Sequence, residues 1–122
     1  MGDTMGRILA ESLIGLPLMR ELNLRDNRLS DVGLLPIIEA IKLRHDLHAL
    51  DLSENKLDRQ GSRALALYFS DPKATLAKFV LSRADVDDFE AANFVKNMRG
   101  NKTLTHLDLS HNLIGSQASL HH

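Results

Sequence analysis

Few side chains in this chain are of a type and spacing that could do chemistry. His106 and His111 come nearest to a metal site, because paired imidazoles bind zinc. They stand five residues apart across an expected strand, in dissimilar positions, and no third ligand accompanies them. Plain surface histidines are the expectation, and no metal site is assigned. Asp51 and Asp108 are carboxylates at matching places in two related segments. Two strand spacings of about 4.8 Å would put them about 10 Å apart. A glycoside-cleaving pair also needs an enclosed sugar site, which nothing here suggests, so surface acids are expected. The seven glycines are scattered and form no G-x-x-x-x-G-K-[ST] phosphate loop. No Ser-His-Asp or metalloprotease spacing occurs either. The chain has no cysteine, which excludes disulfides, thiolate metal sites and a cysteine nucleophile, and favours a reducing compartment. These residues predict a protein that is not an enzyme, with no catalytic residues and no cofactor.

The totals narrow the class further. With 122 residues the chain fits one domain, and 43% hydrophobic against 25% charged residues is ordinary for a folded chain. A net charge of -1 gives no bulk attraction to nucleic acid or anionic membrane. One Tyr and no Trp leave little for base stacking. No apolar run approaches the length of a spanning helix. Ile8 to Leu18 comes closest, but Arg7, Glu11 and Arg20 flank or interrupt it, and it lacks the marks of a signal peptide. His121 and His122 are read as the remnant of a purification tag. Asn101-Lys102-Thr103 matches a glycosylation acceptor but reads better as the turn before a strand.

The elements that would carry these residues come from a repeat. On the pattern L-x-x-L-x-L-x-x-N-x-L, four copies align: Met19 to Leu29, Leu47 to Leu57, Leu76 to Val86 and Leu104 to Ile114. Their central positions, Leu22, Leu50, Phe79 and Leu107, recur at intervals of 28, 29 and 28 residues. Alternation in each L-x-L sends Leu22 and Leu24 to one face and Glu21, Asn23 and Arg25 to the other. One such strand cannot bury its own apolar side, so the copies must stack in parallel, each followed by a return segment. In the returns, Ser30 or Asp31 is expected to cap a helix carrying Leu34, Ile37, Ile38 and Ile41. Asp58 is expected to cap the second return helix, which carries Leu65 and Phe69, and Asp87 the third, which carries Ala91, Phe94 and Met98. Pro36 predicts that the first return helix starts late or kinks. Residues 6 to 18 read as a partial repeat that supplies only a helix, and full repeats start near 19, 47, 76 and 104. The last is incomplete, with Gly115 and Ser116 expected to open another helix. The expectation is a single domain over 1–122 with uncapped ends, part of a longer protein or joined end to end as a homodimer.

Repeats of this length with a full helix in each return resemble the ribonuclease-inhibitor-like subclass of leucine-rich repeats. NKTLTHLDLSHNLI, Asn101 to Ile114, is close to that subclass almost word for word, and Gly33 and Gly61 stand six residues after Asn27 and Asn55 as it requires. The resemblance implies an α/β class: a short right-handed solenoid, or horseshoe arc, with four parallel strands on the concave side and helices on the convex side. It also implies an intracellular, eukaryotic and cytoplasmic setting, and a repeat Asn that bonds backbone groups of adjoining turns. The third repeat departs from the pattern, with Ala84 in place of the Asn and Glu90 in place of the Gly. A looser or differently wound turn is expected at 84–88.

On such a frame the variable strand positions are the candidate contacts for a protein partner: Glu21, Asn23, Arg25, Asp26, Asp51, Ser53, Glu54, Lys78, Arg83, His106, Asp108 and His111. Five acids against three bases make this face mildly acidic. A protein-interaction scaffold is the leading expectation. The alternative, by fold analogy to the Ran-system GTPase activator, would use Arg25 or Arg83 on a bound GTPase.

Overall fold

A computed structural model describes residues 2–113. Helices and three-residue strands alternate along the chain: α1 (Asp3–Gly15), β1 (Glu21–Asn23), α2 (Asp31–Lys42), β2 (Ala49–Asp51), α3 (Arg59–Ser70), β3 (Lys78–Val80), α4 (Asp88–Met98) and β4 (His106–Asp108). The four strands form one open parallel sheet in sequential order. Leu22, Leu50, Phe79 and Leu107 stand in register across it, as their spacing predicts. Strands need about 4.8 Å each and helices about 10 Å. A stack with strands on one side and helices on the other therefore bends into an arc with the strands inside.

The core lies between the two layers. Leu50, Leu52, Phe79 and Leu81 of the strand segments meet Leu34, Ile37, Ile38 and Ile41 of α2, Leu65 and Phe69 of α3, and Ala91 and Phe94 of α4, all buried. Phe69 packs on Phe79 with ring centroids 5.1 Å apart. Pro36 does not delay α2, which begins at Asp31 and runs unbroken to Lys42. The N–H that proline lacks would have bonded the carbonyl of Val32, four residues back. Val32 lies on the exposed first turn, where water can take that bond.

Asp58 and Asp87 are the N-caps of α3 and α4 as the sequence suggests, but α2 is capped differently. Ser30 occupies the N-cap of α2, but its side chain makes no cap bond and instead donates to Asp3 Oδ2. The Asp3 carboxylate, one repeat earlier, accepts from the Ser30 and Gly33 N–H groups at 2.7 and 3.1 Å. Asp31 repeats the device one step on, accepting from Asp58 and Gly61 N–H at 2.9 and 3.1 Å. The reach of these carboxylates is why residues 33 and 61 are glycine: a Cβ there would lie 2.6 and 2.5 Å from the aspartate oxygens. At the next step Arg59 stands where the aspartate is due. Glu90 fills the vacated space, caps α4 together with Asp87 in a reciprocal capping box, and accepts from Ser62 Oγ at 2.7 Å.

The turn at 83–85 is not wound differently from the first. Arg83 and Asp85 take positive φ (53° and 60°), as do Asp26 and Arg28 (55° and 57°). Asn112 reaches back to hold the Ala84 and Val86 N–H groups at 2.8 and 3.2 Å. The missing Asn is felt one repeat earlier instead, where the Leu57 N–H is met by the Ala84 backbone carbonyl at 3.2 Å. The predicted helix start at Gly115 and Ser116 lies outside the described residues.

Arg44 ties the helix-to-strand loops of adjacent repeats together. Its side chain is 7% exposed and pairs with Asp46 at 2.7 Å while donating to the Leu13 and Leu16 carbonyls. Asp46 also accepts from Met19 N–H at 2.8 Å. The Arg44 guanidinium first, and the Met19 amide second, hold the Asp46 carboxyl well below the usual carboxylate range. The linked stability is therefore complete above a pH of about 4, where an unfolded aspartate ionises. It is lost as pH falls through the lower folded value. Urea unfolding of Asp46→Asn should show lower stability at pH 7 and a flatter profile from about pH 5 to 2. A profile parallel to that of the unaltered chain would contradict this.

Candidate functional site

The strand face is built by register. One row across the sheet runs Glu21, Ala49, Lys78, His106, and the next runs Asn23, Asp51, Val80, Asp108. The inward partners of these residues are the leucine-type core positions, so both rows point away from the core. Glu21, Asn23, Lys78 and His106 are exposed, while Asp51 and Asp108 are half-buried. Val80 separates Asp51 from Asp108 in the register, as the repeat predicts.

Beyond the strands a charged cluster spans three repeats. Arg25 Nε lies 2.7 Å from Glu54, and Arg25 Nη1 lies 3.3 Å from Asp51. Arg83 approaches the other oxygen of Glu54 at 3.9 Å and keeps a side chain 57% exposed. Hydrogen bonding to Glu54 raises the Arg25 pKa further, so its charge is permanent. Exposed pairs of this kind contribute little individually to stability, but they fix where the charges sit. Asp108 is held below the usual carboxylate range by hydrogen bonds from Ser110, against some desolvation, with smaller help from His106 and His111. Asp26 and His111 are exposed, each in a left-handed turn conformation.

One candidate is not on this surface. Ser53 is fully buried, its Oγ accepting from the Ser82 N–H at 2.8 Å. Alternation had placed it outward, but strand β2 ends at Asp51. The Asp51 carboxylate then takes the Ser53 N–H at 2.9 Å and the chain turns inward. Ser82, which follows the end of β3 at Val80, is buried as well. The remaining eleven candidates share the face or its turn-side rim.

Two hollows mark the face. One of about 180 Å³ is lined by Glu21, Leu22, Asn23, Ala49, Leu50, Asp51, Lys78 and Val80. It exists because Ala49 and Val80 are short side chains between longer ones. The other, about 420 Å³, lies at the strand-to-helix turns, with Arg28, Lys56 and Asp85 joining Glu54 and Arg83. The sequence reading missed Arg28, Lys56 and Asp85. Each stands two residues after a face residue, a spacing that would have found them. Among the described residues no group of three metal-ligating side chains forms, and no helix is long and apolar enough to cross a membrane.

Comparison with known proteins finds likenesses to one family. A model described as "Leucine Rich repeat" matches residues 15–37 and 100–117, the segments around the first and fourth strands. The chain is 25% identical over 94% of its length to mouse "NACHT, LRR and PYD domains-containing protein 5", of which it covers 10%. It is 24% identical over 83% of its length to "FERM domain-containing protein C" of Dictyostelium discoideum, of which it covers 7%. The chain thus spans about a tenth or less of the relatives it matches. These likenesses support a leucine-rich-repeat family.

Proposed function

Taking the chain as a leucine-rich-repeat solenoid, we propose that it is a protein-recognition scaffold whose concave strand face holds a partner. The observation that carries this reading is the open face itself: two rows of outward side chains of mixed charge, with hollows between them. Leucine-rich repeats generally mediate contacts between proteins. Repeat periods of 28 and 29 residues, with return helices of 12, 12 and 11 residues, support placement in the ribonuclease-inhibitor-like subclass. We assign residues 1–122 to one domain, a segment of a longer eukaryotic, intracellular and cytoplasmic protein without catalytic groups of its own. Support comes from the small share of each relative covered and from the absence of cysteine. The partner is a protein rather than nucleic acid or membrane. Pairing with a second copy through the solenoid ends is a subordinate association. Of Arg25 and Arg83, the activator alternative has the more exposed Arg83 to draw on, because Arg25 is engaged more closely by Glu54 and Asp51.

Affinity capture from source cells tests the reading. Glu21 and Lys78 are exposed and take part in no ion pair among the described residues, so Glu21→Lys with Lys78→Glu changes the face while sparing the fold. Recovery of specific partners should fall about ten-fold, equivalent to about 1.4 kcal/mol. Unchanged recovery would move the interface off the strands.

A further inference from the structure

We infer that the hollow over Ala49 is an arginine subsite: it takes the guanidinium-bearing side chain of a protein partner. This rests on the strand-face reading and sharpens it to one kind of anchor. The floor of the hollow is formed by the short Ala49 and Val80 side chains beside Leu22 and Leu50, whose own side chains face the core, and Glu21, Asn23, Asp51 and Lys78 complete the lining. Its volume of about 180 Å³ would hold roughly six waters. One long side chain can displace them.

The lining selects among side chains. A purely aliphatic group would cover the floor but strip water from two carboxylates without replacing their hydrogen bonds, which is unfavourable. A carboxylate would meet Glu21 and Asp51 at like charge and only Lys78 in compensation. An arginine lays its methylenes on the floor and keeps its planar fork at the rim, where several donors serve carboxylate oxygens together. The chain contains a precedent. Arg25 already lies across the neighbouring repeat with its guanidinium on Asp51 and Glu54, at 3.3 and 2.7 Å. A partner's arginine would approach Asp51 from the opposite side and reach Glu21, which has no ion pair among the described residues. Lys78 stands one strand beyond Ala49 from Glu21, with its charge exposed to solvent. That geometry lets it bound the hollow without occupying it.

The test needs no partner. The ¹⁵N-labelled chain is titrated with N-acetyl-L-arginine methylamide, with N-acetyl-L-leucine methylamide as the apolar comparison. Arginine should shift the amides of Ala49, Asp51, Lys78 and Val80 along saturable curves. Leucine should not. Ala49→Leu, which fills the hollow, should abolish the shifts, and Glu21→Gln, an exposed change that leaves the core untouched, should weaken them several-fold. No arginine-induced shifts, equal shifts from leucine, or shifts unaltered in Glu21→Gln would each overturn the subsite. Failure here removes the anchor only, since loss of partner capture decides separately whether the face is an interface.

Discussion

Asn55→Ala is expected to destabilise the chain by about 3–5 kcal/mol, a large share of the total stability of a small domain. Asn55 is 4% exposed and uses its whole amide. Its Oδ1 accepts from the Asn27 and Leu29 N–H groups at 3.2 and 2.9 Å. Its Nδ2 donates to the carbonyls of Leu24, Leu52 and Ser53 at 2.8, 3.1 and 3.2 Å. Each buried backbone group left unpaired costs about 1–3 kcal/mol, and partial entry of water keeps the sum below the full total. The same replacement at Asn112, which is half-buried, should cost about half as much or less. Asn55→Asp should not rescue stability, because a carboxylate cannot donate to the three carbonyls. Urea unfolding at neutral pH measures all three. A loss below about 1 kcal/mol for Asn55→Ala would show that the turns hold without their side-chain ladder.

Gly33→Ala should lower stability by about 1–3 kcal/mol, reversing the usual sign for a helical glycine. Inside an exposed helix the same change gains up to about 1 kcal/mol from propensity. At residue 33 the added Cβ would lie 2.6 Å from Asp3 Oδ1, 2.8 Å from Leu29 Cδ2 and 2.9 Å from Asp3 Cα. The last is backbone and cannot swing aside, so α1 must move off α2. Gly6 packs against Gly33 at the same crossing, where its own Cβ would come within 2.9 Å of the Gly33 backbone. Overpacking of this kind costs about 1–3 kcal/mol, and loss of the Asp3 cap adds about 1 kcal/mol. Together these exceed the propensity gain. Gly15, with nothing within 4 Å of its Cβ position, is the control. Gly15→Ala should be neutral or raise the melting temperature, and a rise for Gly33→Ala as well would refute the close-approach argument.

Much of the frame was legible in the sequence, because a period of 28 or 29 residues fixes both the register and the inward leucine positions. The strand rows followed directly, and Glu21, Asn23, Lys78 and His106 are exposed as alternation requires. Alternation failed at Ser53, since a period of two holds only while the chain is extended and β2 stops at Asp51. The cap of α2 departs for a different reason, while Asp58 and Asp87 cap α3 and α4 as expected. The carboxylate serving α2 comes from Asp3, 27 residues before Ser30, and no local pattern reveals a partner that distant. Ala84 illustrates the same limit. The repeat Asn serves the turn before its own, so the substitution leaves Asn112 to support residues 84 and 86 and transfers the deficit to Leu57. The Arg59 and Glu90 departures belong together, because the longer side chain fills the space an aspartate would have entered. Arg59 is then free to lie over the Phe89 ring, 6.0 Å from its centroid.

Hydrogen–deuterium exchange of the chain bound to a captured partner bears most directly on the strand-face interface. Slowed exchange is expected in residues 21–26, 49–54, 78–83 and 106–111, with the solvent-facing turns of α2 to α4 unchanged. Protection confined to the helices, with the four strand segments exchanging as in the free chain, would contradict it.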